Sequence, residues 1–410
     1  MVPVLGAPTG SASSLWDRYK RELEGEPLPC AMVDLDALDA NVDRLLAPAR
    51  AHGKALRLAT KSIRSPELVK HIVARGAGVV RGLMTYTADE THHWATERNE
   101  RDLLLAYPTV HPRDTALLAD ANARGAVASV VVDSTAHLDA LDAAARARRT
   151  KIPVVVEVDV SYRPLGDAVH VGARRSPLRK VEDVVSLARR VARYEGLALR
   201  GLMAYEAHVA GVPDKSPFSR ATNAAVRAMK KRARAQLERT RRELASELRP
   251  ELFNGGGTGS LAWCSAEDAL TEVTAGSGFL DSHLFDYYAG LELTPAAYFA
   301  LQVVRASDRG YMTCHGGGYI ASGAAGPDRL PIPVLPEGLA LVAMEGAGEV
   351  QTPLTLSKRA PSIAIGDPVF FRHAKAGELA EHFREYVLVR GDRAVGRAPT
   401  YRGLGRCFLG

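Results

Sequence analysis

The sequence has few cysteines and no long apolar run, and both absences restrict the classes of protein to consider. Its four cysteines, at positions 30, 264, 314 and 407, lie far apart and form no C-x-x-C pair, so neither a disulfide framework nor a zinc knuckle is indicated. No stretch is long and apolar enough for a transmembrane helix. The first 26 residues lack a basic segment followed by an apolar core, so they do not resemble a signal peptide. We therefore expect a cytoplasmic protein that does not enter a membrane.

The chain also has little excess charge of either sign. Lysine and arginine together number 53, against 47 aspartate and glutamate residues, which gives a net charge of +6. The most basic stretch, residues 227–248, carries glutamates at helical spacing, which is typical of an amphipathic helix that faces solvent. No nucleic-acid-binding module accompanies it. We therefore expect a small-molecule partner and no nucleic acid.

What the sequence does contain is an alternation of short apolar runs with helical patterns. The 410 residues are 46% hydrophobic, enough for a large core. Eight strands alternating with helices over about 250 residues match a (β/α)8 barrel of the TIM type. A doubly wound open sheet is the alternative, but no G-x-G-x-x-G motif follows the first strand. The eight runs are residues 55–61, 78–84, 102–107, 128–133, 153–160, 199–206, 251–257 and 271–278.

The character of the chain changes after residue 282. Short β-prone segments separated by glycine and proline follow, which is typical of an all-β unit. The sequence therefore predicts an α/β protein with three parts: an N-terminal extension (1–29), the barrel (30–282) and a C-terminal all-β domain (283–410).

Two glycine-rich segments follow the last two predicted barrel strands. They are "NGGGTGS" at 254–260 and "AGSG" at 275–278. TIM-type barrels often hold a phosphate with these loops, because glycines let the backbone N–H groups surround an anion. The alternative is two ordinary tight turns. Because the two loops would be neighbours at one end of the barrel, we favour a phosphate site.

Lys61 ends the first predicted strand, four residues before a helix that Ser65 caps and Pro66 begins. A lysine in such a place is usually surface charge. Here it shares the barrel rim with the glycine loops, and a lysine beside a phosphate site is the arrangement that pyridoxal 5′-phosphate (PLP) needs, since the lysine amine forms a Schiff base with this cofactor. We therefore interpret Lys61 as the cofactor anchor.

Several segments resemble the fold-type III PLP enzymes with an alanine-racemase-like barrel, and within them the D-threonine aldolase and D-serine dehydratase branch. They are "PCAMVDLDALDANVDRLL", "TKS" followed by "SPEL", "VEVDV", "GLMAYEAHVAG", "GGGTGS" and "TEVTAGSGFLDS". The resemblance extends over residues 28–390. It implies a homodimer whose β domain closes the active site. It also implies a lyase for β-hydroxy amino acids of D configuration, which acts through a Lys61 Schiff base by retro-aldol cleavage or by dehydration and deamination.

The resemblance also implies roles for single residues. Lys61 would additionally transfer a proton at Cα, and Tyr205 would lie close to the cofactor. Glu206 and His208 would reach toward the substrate, where a histidine can act as acid or base near neutral pH; the alternative for His208 is a structural hydrogen bond. The phosphate would be held by Gly256, Gly257, Thr258, Gly276, Ser277 and Gly278.

Two segments depart from the pattern of the resembled family. Relatives carry an Arg-x-Gly after strand five, where this chain has "DVSYRPLG"; Arg163 is the candidate for the cofactor or the substrate carboxylate, with Arg174 and Arg175 as fallbacks.

The second departure concerns a metal. Relatives hold a divalent ion with a His-x-Cys or His-x-Asp pair, where this chain has "HAKAGE". His373 is the remaining metal candidate, Glu378 could substitute for the second ligand, and an ammonium is a poor ligand. We therefore expect no metal, and expect Lys375, with His373, to polarise the substrate hydroxyl.

Two other functions fit the same scaffold. An amino-acid racemase would need a second base opposite Lys61, for which Tyr298 is the candidate. A PLP carrier without turnover is the other alternative, and the additional β domain argues against it.

Overall fold

The computed structural model describes residues 12–218, 220–307 and 309–409. The described chain begins with helix α1 (Ala12–Glu22) and strand β1 (Cys30–Asp34).

A closed parallel barrel forms the larger part of the molecule. Strands β2 to β6 and β8 to β10 follow one another around it, and β10 closes it on β2. All eight predicted strands are confirmed, with bounds shifted by a few residues. Strand β7 lies outside the barrel and is exposed. The bounds are β2 Ala55–Ala59, β3 Val80–Thr85, β4 Asp102–Leu105, β5 Val127–Val132, β6 Ile152–Glu157, β7 Pro164–Asp167, β8 Leu197–Met203, β9 Leu252–Gly255 and β10 Glu272–Ala275.

Nine further helices lie in the barrel segment of the described chain. Helix α9 contains the predicted basic helix, but its arginines do not all face solvent, since Arg241 is fully buried. The helices are α2 Leu35–Ala51, α3 Pro66–Arg75, α4 Ala88–Thr96, α5 Pro112–Ala123, α6 Thr135–Ala147, α7 Val181–Arg190, α8 Ala207–Ala210, α9 Asn223–Leu248 and α10 Leu261–Ser265.

A second, separate sheet confirms the expected all-β domain. Its main order is β14-β15-β12-β11-β1-β17-β18, and β16 pairs with both β11 and β13. The elements are β11 Ala297–Ser307, β12 Tyr311–His315, β13 Ile332–Leu335, β14 Leu339–Leu341, β15 Gln351–Leu356, β16 Pro368–Arg372, α11 Ala376–Leu379, β17 Glu385–Arg390 and β18 Arg393–Pro399.

Strand β1 belongs to this second sheet, although the sequence assigned residues 30–34 to the barrel. It pairs antiparallel with β11 and parallel with β17. Met32 and Val33 are fully buried, so both faces of the strand contribute to apolar packing. Helix α1 covers the same sheet, where the indole of Trp16 donates to the carbonyl of Pro368 at 2.9 Å. The predicted domain boundaries stay a prediction.

Charged side chains fill the end of the barrel interior opposite the carboxyl ends of its strands. The buried guanidinium of Arg57 donates to Glu272 at 2.7 Å and to Asp102 at 3.0 Å. Arg200 also donates to Asp102, at 2.9 Å. Because each buried charge has a partner of opposite sign, the interior avoids the cost of an isolated charge. Nothing in the sequence analysis anticipated this network.

Among the described residues, no helix has both the length and the apolar composition needed to cross a bilayer.

Candidate active site

A cavity of about 390 Å³ opens at the carboxyl ends of the barrel strands, and the β domain supplies its outer wall. It brings together residues that lie more than 300 positions apart in the sequence, such as Lys61 and Lys375. Eight of the residues predicted to act in catalysis or cofactor binding line this cavity: Lys61, Tyr205, Gly256, Gly257, Thr258, Gly276, Ser277 and Lys375. The cavity thus unites the lysine, the two glycine loops and part of the β domain.

Lys61 lies in a short 3-10 turn, Thr60–Ser62, directly after β2. The turn is fixed on two sides: the hydroxyl of Thr60 donates to the carbonyl of Met84 at 3.0 Å, and Arg64 Nε donates to the carbonyl of Lys61 at 2.9 Å. On the third side Gly377 of the β domain packs so closely that a Cβ there would lie 1.9 Å from the Lys61 oxygen. The backbone of Lys61 is therefore held while its side chain extends into the cavity.

The amine of Lys61 has a tyrosine partner that the sequence analysis missed. Lys61 Nζ lies 3.1 Å from the hydroxyl of Tyr107, and the guanidinium of Arg175 lies 5.5 Å from the centre of the Tyr107 ring. Burial alone would raise the pKa of Tyr107, but the charge and hydrogen bond of Lys61 and the charge of Arg175 outweigh it and lower this pKa below its usual value. Tyr107 could have been predicted from its position, because it lies two residues after the end of β4, on the same barrel rim as Lys61.

The two glycine loops lie side by side. Gly256 has φ of +90°, a conformation that side-chain-bearing residues rarely adopt, and a Cβ at Gly276 would lie 2.9 Å from the carbonyl of Ala59. The N–H of Gly278, which does not line the cavity, donates to the Thr258 hydroxyl at 3.2 Å and ties the loops together. Within the described chain the N–H groups of Gly276 and Ser277 have no acceptor, so they are available to an anion.

Glu206 does not reach the cavity, contrary to expectation. It is fully buried behind the first glycine loop, paired with Arg241, and accepts hydrogen bonds from the N–H of Gly256 at 3.1 Å and from the hydroxyl of Ser260. Burial would raise the pKa of Glu206, but the Arg241 charge and these hydrogen bonds outweigh it and lower the pKa. The carboxylate therefore supports the glycine loop from behind.

His208 is likewise absent from the residues that line the cavity, and its approach to the substrate stays a prediction. It lies on the single-turn helix α8 and is buried. Burial lowers its pKa to about 4, so the ring is neutral near neutral pH. The structure thus shows His208 as a buried, uncharged imidazole behind the cavity wall.

Of the two candidate arginines Arg163 and Arg175, only Arg175 lines the cavity. Arg163 is bound to Asp159 at 2.7 Å and to Asp167, away from the cavity. Arg175 lines the cavity. Its guanidinium lies 5.3 Å from the centre of the Tyr205 ring and donates to the carboxylate of Glu157 at 3.4 Å. Burial raises the pKa of Tyr205 to about 12, so this ring stays protonated beside it.

Lys375 reaches the cavity from the β domain. Its Nζ donates to the carbonyl and hydroxyl of Ser322 at 2.8 and 2.9 Å, and lies 3.4 Å from Glu378. His373 is fully enclosed and outside the cavity lining; burial, with the charge of Arg372, lowers its pKa to about 3. In the described ranges no cluster of three or more His, Cys, Asp or Glu side chains is arranged to hold a metal ion.

Tyr298, the candidate second base of a racemase, lies in the core of the β domain. Its ring packs 5.5 Å from that of Tyr19 and its hydroxyl donates to the carbonyl of Pro295 at 3.2 Å. It does not line the cavity.

The fold and the position of the cavity define a class: a barrel with a lysine after its first strand, glycine loops after its last two strands, and an all-β domain over the rim. Residues 33–280 match the family described as alanine racemase, N-terminal domain. Since the match covers more than half of the chain, the protein belongs to this family.

Two curated relatives are similar in sequence. D-threonine aldolase of Arthrobacter sp is 30% identical over 280 residues, 67% of each chain. 3-Hydroxy-D-aspartate aldolase of Paracoccus denitrificans (strain Pd 1222) is 29% identical over 255 residues, which are 62% of this chain and 60% of that protein. The match therefore spans less than two thirds of the Paracoccus relative.

Two solved structures share the whole architecture. D-threonine aldolase from Filomicrobium marinum superposes with a TM-score of 0.77 at 20% identity, over 92% of this chain and 95% of that one. D-threo-3-hydroxyaspartate dehydratase from Delftia sp. HT23 gives a TM-score of 0.73 at 20% identity, over 92% and 98%. At this identity the likeness establishes the fold.

Proposed function

We propose that this protein is a PLP-dependent lyase that acts on β-hydroxy amino acids of D configuration. The observation that carries the proposal is the pairing of Lys61 with Tyr107 on the same rim as two glycine loops that line the cavity, where the N–H groups of Gly276 and Ser277 have no acceptor in the described chain. The relatives named above are aldolases and a dehydratase for D-amino acids with a β-hydroxyl, which supports the substrate class.

The residues present fit the cofactor. The free N–H groups of Gly276 and Ser277 and the Thr258 hydroxyl suit a phosphate, and no side chain on Gly276 occupies the space beside Ala59. Lys61 would anchor the aldehyde end, and Arg175 and Tyr205 line the same cavity. When bound, PLP would withdraw electrons from the substrate Cα.

Four side chains would act on the substrate or hold the acting groups, and Lys61 has a second role besides anchoring the cofactor. Lys61 moves the proton at the substrate Cα. The Tyr107 hydroxyl holds the Lys61 amine in place between catalytic turnovers. Arg175 binds the α-carboxylate. Lys375 donates a hydrogen bond toward the β-oxygen, where a cation stabilises developing negative charge.

The two outcomes differ in the bond that breaks. Cleavage of Cα–Cβ, with net transfer of the hydroxyl proton to Cα, gives glycine and an aldehyde. Loss of the Cα proton and the β-hydroxyl as water, followed by hydrolysis of the resulting imine, gives a 2-oxo acid and ammonia. Metal analysis of protein purified without chelator tests the role given to Lys375: a stoichiometric divalent ion required for activity would contradict it. The oligomeric state, for which we propose a homodimer, is measured by light scattering.

The central experiment is borohydride reduction of protein loaded with PLP, followed by peptide mass spectrometry. We expect a pyridoxyl adduct on Lys61, and its absence from Lys61→Ala. Lys70→Ala is the matched control, since Lys70 is exposed on the next helix. Substrate turnover, assayed as glycine, 2-oxo acid or D-to-L inversion, should fall to the level of cofactor-free protein in Lys61→Ala only. An adduct elsewhere, or inversion without cleavage, would overturn the proposal.

A further inference from the structure

The residues that follow β18, which we call the 400–409 segment, lie against the barrel. Tyr401 in this segment is buried, with 1% of its surface exposed. Its hydroxyl donates to the carboxyl of Glu90 at 2.6 Å and accepts from the indole of Trp94 at 2.8 Å. Both partners belong to helix α4. The segment is therefore anchored on a barrel helix through a buried hydroxyl that both donates and accepts.

The same segment fixes the backbone that follows Lys61. The N–H of Tyr401 donates to the carbonyl of Arg64 at 2.8 Å, and the N–H of Arg64 donates to the carbonyl of Thr60 at 3.0 Å. Arg64 has φ of +50°, a left-handed conformation that residues with a side chain rarely adopt. Such a conformation persists only where the surrounding structure holds it. Because Arg64 Nε donates to the carbonyl of Lys61 at 2.9 Å, the bond from Tyr401 stabilises the turn that carries the lysine.

The 400–409 segment also reaches the partner of the Lys61 amine. A small aromatic cluster consists of Tyr86, Tyr401 and Phe408. The rings of Tyr401 and Phe408 meet edge to face, with 4.8 Å between their centres. Tyr107 packs against this cluster, and its hydroxyl lies 3.1 Å from Lys61 Nζ. A displacement of Tyr401 would therefore affect the amine of Lys61 as well as its backbone.

We propose that Tyr401 is a positioning residue for Lys61, the proposed cofactor anchor. It acts through the backbone of Arg64 and through the ring of Tyr107. Tyr401 is not among the described residues that line the cavity, so it does not take part in the chemistry itself. The inference rests on the proposed function for the role of Lys61, whereas the contacts that carry it involve no substrate.

The first test follows the Tyr107 phenol in cofactor-free protein. Burial opposes it, but the charge and hydrogen bond of Lys61 lower the pKa of Tyr107, so the phenolate step in an absorbance titration reports how close the amine lies. We expect Tyr401→Phe to move this step to higher pH, in the direction of Lys61→Ala. Burial raises the pKa of Tyr401 well above its usual value, so the loss of its own phenol does not remove the step.

Two exposed arginines of the 400–409 segment supply a second variant and a matched control. Arg402 donates to Glu381 at 2.8 Å, and Glu381 also accepts from Arg64 at 2.6 Å. Arg406 donates instead to Glu97, at 2.6 Å, just after helix α4. Exposed ion pairs contribute little to stability, so both variants should fold.

The two arginine variants decide the proposal even if Tyr401→Phe does not fold. We expect Arg402→Gln to move the Tyr107 step in the same direction as Tyr401→Phe but less far, and Arg406→Gln to leave it in place. A step that stays at the wild-type pH in every folded variant except Lys61→Ala would overturn the proposal.

The second test separates positioning from a purely structural role and from the proposed function. We expect Tyr401→Phe to weaken PLP binding about tenfold and to lower kcat about tenfold with little change in KM, and Arg406→Gln to change neither. A lower urea midpoint for Tyr401→Phe with unchanged PLP affinity and an unchanged phenolate step would show a structural role only. If wild-type protein turns over no β-hydroxy amino acid but Tyr401→Phe still moves the step, the lyase assignment fails while the positioning role stands.

Discussion

The two walls of the cavity are built in different ways. Behind the barrel wall, Glu206 and Arg241 are both fully buried and tie the first glycine loop to helix α9. On the β-domain wall, the side chains of Arg329 and Lys375 are 25% and 38% exposed. Lys375 donates to Ser322, and Arg329 lies 3.6 Å from Asp328. Buried charge networks are rigid because every partner is needed, whereas exposed pairs contribute little to stability. The barrel wall is therefore the rigid side of the cavity, and the β-domain wall is the adaptable one.

The largest effect is expected from breaking the support of the barrel wall. Glu206→Gln removes one partner of a buried ion pair, which we expect to cost about 3 to 5 kcal/mol in the free energy of unfolding and to weaken PLP binding. Urea unfolding with and without PLP measures both. Glu243→Gln, exposed on the same helix as Arg241, should change neither. A stability within about 1 kcal/mol of wild type would show that the barrel wall is not held by this pair.

A smaller effect is expected from pushing the two walls apart. In Gly377→Ala the new methyl group would lie 1.9 Å from the Lys61 carbonyl oxygen, and overpacking of this kind costs about 1 to 3 kcal/mol. The Thr60–Ser62 turn that carries Lys61 should move. We expect this movement to lower the PLP affinity and kcat about tenfold each. Gly391→Ala is the control: φ is +61° with nothing nearby, so the substitution strains the backbone without touching the cavity. If both variants lose stability but neither loses cofactor affinity, the walls are not coupled through Lys61.

The smallest effect is expected from the ionisation of the Tyr107 phenol on the barrel wall. The pKa of Tyr107 is lowered, so its phenol should ionise at lower pH than a free tyrosine. Its ionisation favours the folded state, and this contribution should be lost as pH falls through the folded-state pKa. Absorbance titration of cofactor-free protein should show one early phenolate step that Tyr107→Phe removes and Lys61→Ala moves to higher pH. Tyr311→Phe, at an exposed position, should leave the step in place, and an unchanged Tyr107→Phe curve would refute the assignment.

The sequence was informative where the evidence is local. Each barrel strand is a short apolar run, and Lys61 and the two glycine loops directly follow such runs, so their common rim could be inferred from the barrel geometry. The orientation of Glu206 and His208 could not be inferred in this way. Both lie at the single-turn helix α8, and the partner of Glu206 is Arg241, which sits in a stretch that resembled a solvated helix.

The β domain was predictable as a class but not in its pairing. Glycine, proline and β-prone residues identified strands, but register depends on contacts between distant segments. The same limit applied to Arg163 and Arg175. The segment between β6 and α7 contains several arginines, and only the three-dimensional path of its backbone determines which of them lines the cavity. The barrel-interior charges, such as Arg57 within "ALRLA", were visible as isolated polar residues in apolar runs.

The placement of β1 has a consequence for biosynthesis. The barrel strands are complete once residue 275 has left the ribosome, but β1 has no neighbours until β11 and β17 are made. Until then the nascent chain carries an apolar, unpaired strand, the kind of segment that associates with other chains. Strands β11 and β17 therefore have a second role: they pair with β1 and complete the sheet. The outer wall of the cavity forms only after the N-terminal and C-terminal segments of this sheet have paired.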